Sequence, residues 1–142
     1  EEEKANKVIK FDFSIFTNGG LHDGSVKTEY SLTNHTVDAP CGSFTNVLLD
    51  IFPNGHVSFF SLDVEGSEPS VVNNIDFGKV FIEVMMIESF NSFCRIHKYC
   101  KSRDEYRTTM KDAGYIMFDK LVIKSDIFIH PKSKYLKMVS QK

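Results

Sequence analysis

Long hydrophobic runs are missing from this sequence. No stretch approaches the ~18 consecutive apolar residues that a membrane-spanning helix needs. An excess of one charge is missing too. Seventeen Lys and Arg stand against 19 Asp and Glu, a net charge of −2, so no broad basic field is available to hold nucleic acid. The opening residues Glu1-Glu2-Glu3-Lys4 are the opposite of a secretory signal, and cytoplasmic residence is the default expectation. Cysteine is scarce and odd in number: Cys41, Cys94 and Cys100 cannot all pair within one chain. A Cys94-His97-Cys100 cluster can be drawn, but no second cysteine pair completes a zinc site, so no metal is expected. A reducing compartment fits this usage. Internal repeats, low-complexity tracts and a Ser-His-Asp or Cys-His order for nucleophilic catalysis are also absent. Asn18-Gly19-Gly20 lacks the GxGxxG or P-loop pattern and reads as a turn.

What is present is enough apolar matter for a core. Apolar residues make up 42% of the 142-residue chain and charged residues 25%, and 13 residues are Phe. This excludes disorder as the main state and points to a single domain. A full doubly wound nucleotide-binding sheet takes five or six strand–helix units of roughly 30 residues each, more chain than is here. The polar ends, 1–7 and 132–142, are expected to be flexible.

Ile9 to Phe16 alternates apolar and polar residues, the period of a half-buried strand. One or two short strands are expected between Val26 and Val37. Ser43 to Phe52 reads as a helix with Ser43 as N-cap and Phe44, Val47, Leu48 and Ile51 on one apolar stripe. Val57 to Leu62 is apolar on both faces, as in a strand covered on both sides. Pro69 suits the first turn of a helix carrying Val71, Val72 and Ile75. Val80 to Ile87 is a second buried strand. Ser102-Arg103-Asp104-Glu105 has the form of a capping box opening a helix with Tyr106, Met110 and Ala113 inward, stopped at Gly114. Tyr115 to Phe118 and Asp126 to His130 form a final strand pair. From residue 43 the order is helix, strand, helix, strand, helix, strand, strand. Such alternation means α/β with a mostly parallel sheet and one antiparallel C-terminal strand.

Ligands bind outside the carboxyl ends of strands in open parallel sheets. Both of the strongest strands end in acid: one in Asp63-Val64-Glu65-Gly66-Ser67-Glu68, the other in Glu88. As neighbours they would put these carboxylates on one rim. There they could act as a base, bind a cation, or accept hydrogen bonds from hydroxyls or amines. A cation-binding Asp63-x-Glu65 pair of the glycosyl-transfer type has no other support in the chain. Gly66 suits the sharp strand-to-helix turn. Glu68 beside Pro69 would also favour a helix N-terminus electrostatically. His56 and His130 read as structural or solvated.

Phe59-Phe60-Ser61-Leu62-Asp63-Val64-Glu65-Gly66-Ser67-Glu68 resembles the signature segment of the FkbM family of methyltransferases. The continuation Ile75-Asp76-Phe77, the strand ending Ile87-Glu88, Gly114-Tyr115 and Asp126-Ile127-Phe128-Ile129 follow that pattern, over about 35–131. The resemblance implies a Rossmann-like sheet and methyl transfer from S-adenosylmethionine, commonly to a hydroxyl of a small molecule or glycan. It implies Asp63 as base or orienter with Glu65 supporting. Glu68, Glu88 and Gly66 would contact acceptor or cofactor. The family's cofactor unit, a strand, a glycine-rich loop and a helix, has no counterpart before residue 43. The resemblance therefore implies an N-terminally truncated domain, or a partner-binding module that keeps the fold. An exposed sheet edge would favour self-association.

Overall fold

A computed structural model describes residues 7–12, 20–21, 36–64, 67–89 and 97–139. The elements run β1 (Lys7–Asp12), β2 (Gly20–Leu21), β3 (Thr36–Cys41), α1 (Phe44–Ile51), β4 (His56–Leu62), α2 (Glu68–Val72), β5 (Phe81–Glu88), α3 (His97–Asp112), β6 (Ile116–Val122), β7 (Ser125–Ile129) and α4 (Leu136–Val139). The order expected from residue 43 is the order found, with α4 added.

The described residues form two sheets. The first has the order β2-β1-β3, all antiparallel, with Pro40 on its β3 edge opposite Val8. Proline is tolerated on an edge because it has no N–H to give to the ladder. The second has the order β4-β5-β7-β6. Here β4 and β5 are parallel, while β7 pairs antiparallel with both β5 and β6. The chain is therefore α/β with a mixed sheet, less parallel than expected. The reason is the position of the reversed strand: β7 sits inside the sheet, so both of its ladders are antiparallel.

Register divides this sheet into two faces. Phe60 and Leu62 lie level with Met85 and Ile87, and these with Phe128 and Asp126. That face meets the helices: Phe44 of α1 packs on Phe60 at 5.5 Å between ring centroids, and Tyr106 of α3 packs edge-on to Phe128 at 6.2 Å. Val72, Met85, Ile87, Tyr106, Met110 and Phe128 are fully buried, each aliphatic side chain contributing about 1.5–3 kcal/mol. The opposite face aligns Phe59, Val84, Ile129 and Ile116 across all four strands, and Phe59 and Ile116 stay exposed. Strand β4 is an edge strand, and this second face is covered unevenly along it: Val57 is 3% exposed, Phe59 55%.

Helix α1 is rotated from its expected stripe. Thr45 and Leu48 are buried, whereas Val47 and Ile51 are exposed. The rotation follows from hydrogen bonds. The Thr45 hydroxyl donates to the Asn74 carbonyl at 3.1 Å and accepts from the Asp76 N–H at 2.8 Å. The Phe44 N–H donates to Asn74 Oδ1 at 2.7 Å. Ser43 has extended N-cap backbone but makes no side-chain cap bond; Asn74 supplies the cap from 30 residues away.

Helix α3 begins at His97, not at Ser102. The capping-box residues lie inside it, and Glu105 instead accepts from Asn73 Nδ2 at 3.0 Å, tying α3 to α2. Its end is as expected. Gly114 has φ 86, its N–H donates to the Lys111 carbonyl, and the Tyr115 N–H donates to the Met110 carbonyl. This is a Schellman closure, with Tyr115 and Met110 both buried. Residues 132–139, expected among the flexible ends, fold back: Ser133 is buried and α4 follows.

Two glycines give a ranked stability prediction. Gly55 has φ 65, and an added Cβ there would lie 2.6 Å from the Lys79 carbonyl oxygen. At Gly114 an added Cβ meets nothing within 4 Å. Gly114→Ala should therefore cost only the left-handed backbone penalty, about 1–2 kcal/mol. Gly55→Ala should cost more, because the Lys79 backbone must move as well. Urea denaturation of both variants checks this; equal losses would contradict it.

Candidate functional site

The parallel pairing of β4 with β5 carries both strands' carboxyl ends to one rim. Leu62 is level with Ile87, so Asp63 and Glu88 emerge side by side. Helix α2 starts immediately afterwards, with Glu68 at its first residue and Pro69 next. Asp63, Glu68 and Glu88 thus converge, each offering a carboxylate oxygen, and these oxygens all lie within 4.8 Å of one another. Three of the five residues expected at the site are brought together. Glu65 and Gly66 lie outside the described residues.

The three carboxylates differ in their surroundings. Asp63 is exposed and has no hydrogen-bond or ion-pair partner among the described residues. Glu68 is buried, and its Oε1 accepts the Val64 N–H at 3.1 Å. It closes the loop behind Asp63, at a helix end where negative charge is favourable. Glu88 is half-buried. Oxygen-only donors of this kind match hard divalent cations or the hydroxyl hydrogens of a polyol. No ring nitrogen or thiol joins them among the described residues.

A second group, not anticipated from sequence, underpins the rim. Asp126 is fully buried on β7, level with Ile87. It accepts two hydrogen bonds from Arg107, Nε to Oδ2 at 2.7 Å and Nη2 to Oδ1 at 2.8 Å. The Tyr106 hydroxyl donates to the same Oδ2 at 2.7 Å and lies 3.4 Å from the Glu88 carbonyl. Hydrogen bonding to Asp126 holds Arg107 still more firmly protonated despite its partial burial. Burial, followed by the bond to Asp126, pushes the Tyr106 hydroxyl well above its ordinary range. This group is fixed and neutralised. A polar residue opening a strand gives no sign of it in the sequence, because its partners lie 19 and 20 residues away.

The opposite end of the sheet holds a third group. Buried Glu83 takes a bond from His56 Nε2 at 2.9 Å, one from the Ser133 hydroxyl at 3.0 Å and one from the Lys134 N–H at 3.3 Å. His56 is therefore structural. His130 packs edge-on to Phe81 and Tyr115. A shallow cleft of about 300 Å³ lined by Arg107, Lys111, Tyr115, Met117 and Phe128 includes none of the rim carboxylates.

No family model, curated protein or solved structure matches this chain.

The Glu83 group makes a pH prediction. Burial raises the Glu83 pKa, but the bonds from His56, Ser133 and Lys134 outweigh it and leave the carboxyl below its usual 4.5. Protons therefore bind the unfolded chain more readily. The stabilisation is complete above about pH 4.5 and is lost as pH falls through the lowered value. Glu83→Gln should flatten the acid limb of stability against pH, measured by denaturation from pH 7 down to pH ~3. An unchanged acid limb would contradict this.

Proposed function

We propose that this chain carries the acceptor-side part of an FkbM-like, S-adenosylmethionine-dependent methyltransferase domain. Its acceptor would be a hydroxyl of a small molecule or glycan. The observation behind this reading is the convergence of Asp63, Glu68 and Glu88 at the carboxyl ends of a parallel strand pair, within the segment that resembles the family signature. The order helix–strand–helix–strand–helix–strand–strand, with its last strand reversed, supports it further.

The roles follow from the surroundings. Asp63 is open to a ligand, so it accepts the hydrogen bond of the acceptor hydroxyl, and a carboxylate so placed can take the departing proton. Glu88 flanks it and helps to orient the acceptor. Glu68 holds the loop through Val64. Rigid placement of this kind is how an active site converts binding into orientation.

The described residues do not fit the methyl donor. The donor's cradle is a strand feeding a glycine-rich loop and then a helix. Before α1, the described residues instead form the antiparallel sheet β2-β1-β3. The same sheet favours a second reading, a partner-binding module that keeps the fold without the reaction.

Calorimetric titration with S-adenosylmethionine should show no saturable binding to this chain alone. Tight uptake would overturn the placement of the donor cradle outside the described residues. Saturation-transfer NMR with neutral oligosaccharides then separates the two readings. Contact that Asp63→Ala removes, with circular dichroism unchanged, supports acceptor binding. Contact that survives Asp63→Ala takes Asp63 out of the site, and no contact by the unaltered chain favours the partner module.

A further inference from the structure

The cleft between α3 and edge strand β6 lies apart from the carboxylate rim. Its volume is about 300 Å³, and Arg107, Thr108, Lys111, Tyr115, Met117 and Phe128 line it. Tyr115, Met117 and Phe128 supply an apolar floor. Met117 is level with buried Phe128 on the helix-facing side of the sheet, yet it is 41% exposed. A methionine so placed is flexible and adapts to varied apolar shapes.

The polar groups of the lining are of one kind. The Thr108 hydroxyl donates to the Asp104 carbonyl at 2.8 Å, within its own helix, and the Tyr115 hydroxyl donates to the Ile82 carbonyl at 2.8 Å, inside the sheet. Arg107 gives Nε and Nη2 to Asp126, which leaves Nη1. Lys111 has no ion-pair partner among the described residues. The last carbonyls of α3, those of Met110 and Lys111, already accept from the Tyr115 and Gly114 N–H groups, so the lysine is not needed to satisfy them. Arg107 and Lys111 are one helical turn apart and stand on one face of α3. No carboxylate lines the cleft. Asp104 pairs with Arg103 at 3.0 Å, and Asp112 and Asp119, though exposed, lie outside the lining.

Charge sets the class of ligand. Arg107 is balanced by Asp126, so the lining carries one uncompensated positive charge, on Lys111. A monoanion cancels it. A polyanion finds no second free cation there, and an amine finds no carboxylate. Arg107 is 22% exposed and gripped at two nitrogens, so its Nη1 is fixed in place before a ligand arrives. We infer that this cleft binds a small monocarboxylate with an apolar body. The carboxylate spans Arg107 Nη1 and Lys111 Nζ, and the body lies over Tyr115 and Phe128 under the Met117 side chain. A peptide strand laid along β6 is disfavoured. The register slips between Phe118 and Val122, and Asp119 and Lys120 lie within the irregular stretch; bulges and edge charges block such pairing. The site does not rest on the methyl-transfer reading of the rim.

Titration of the full chain with octanoate, followed by amide nitrogen–proton NMR, tests this. Octanoate should give saturable shifts centred on Lys111 and Met117. Hexanoate, two methylenes shorter, should bind about tenfold more weakly. Octanol should bind more weakly than octanoate, and octylamine should leave these amides unmoved. Lys111→Gln should weaken octanoate about fivefold while leaving the thermal midpoint and octanol binding as they were. Met117→Ser should narrow the gap between octanoate and hexanoate. Any of four results would overturn the inference. Octanoate might give no saturable shift, or octylamine might bind as tightly as octanoate. Lys111→Gln might bind octanoate as well as the unaltered chain. Lastly, the shifts might centre on Asp63 and Glu88, which would move the anion to the rim.

Discussion

The carboxylate of Asp126 is the interaction on which the rest of the structure depends. It is fully buried, and a carboxylate out of water is tolerated only when paired and hydrogen-bonded. Arg107 supplies a two-pronged charge partner and Tyr106 a third donor. These three residues join β7 to α3, and the Tyr106 hydroxyl also lies near the last carbonyl of β5. The reversed strand is thereby held between two strands that run the other way. Helix α3 is held over the face where Met85, Ile87 and Phe128 pack. With that node in place, β5 ends where Glu88 meets Asp63 and Glu68.

The two ends of this sheet do different work with the same side-chain chemistry. At one end Glu83 is saturated by His56, Ser133 and Lys134 and fastens the chain after β7 to the sheet. At the other, Asp63 is exposed and uncommitted within a cluster of like charges. Folding does not require three carboxylates within 4.8 Å; their mutual repulsion works against it. That contrast is the reason to place ligand chemistry at the second end. The turn between β6 and β7 lies beside it, held by the Ser89 N–H bond to the Lys124 carbonyl.

Much of this was legible in the residues. Period and run length marked β4, β5 and the inward face of α3, and the acids at two strand ends marked the rim. Gly114 marked a helix stop because its left-handed φ is a local requirement. What was not legible depended on distant partners. The α1 stripe looked continuous through Val47 and Ile51, but Thr45 bonding to Asn74 and Asp76 turned the helix by about one residue's rotation. The Ser102–Glu105 spacing resembled a helix start because such a box is identical in sequence whether or not the helix continues upstream. The position of β7 inside the sheet and the Asp126 node are tertiary facts with no local signature.

A double-mutant cycle between Arg107 and Asp126, read by urea denaturation, tests the node most directly. Arg107→Ala alone should cost about 3–5 kcal/mol, because it strands a buried charge. Arg107→Ala combined with Asp126→Ala should cost much less than the sum of the two single losses. Additive losses would contradict the central place given to this pair.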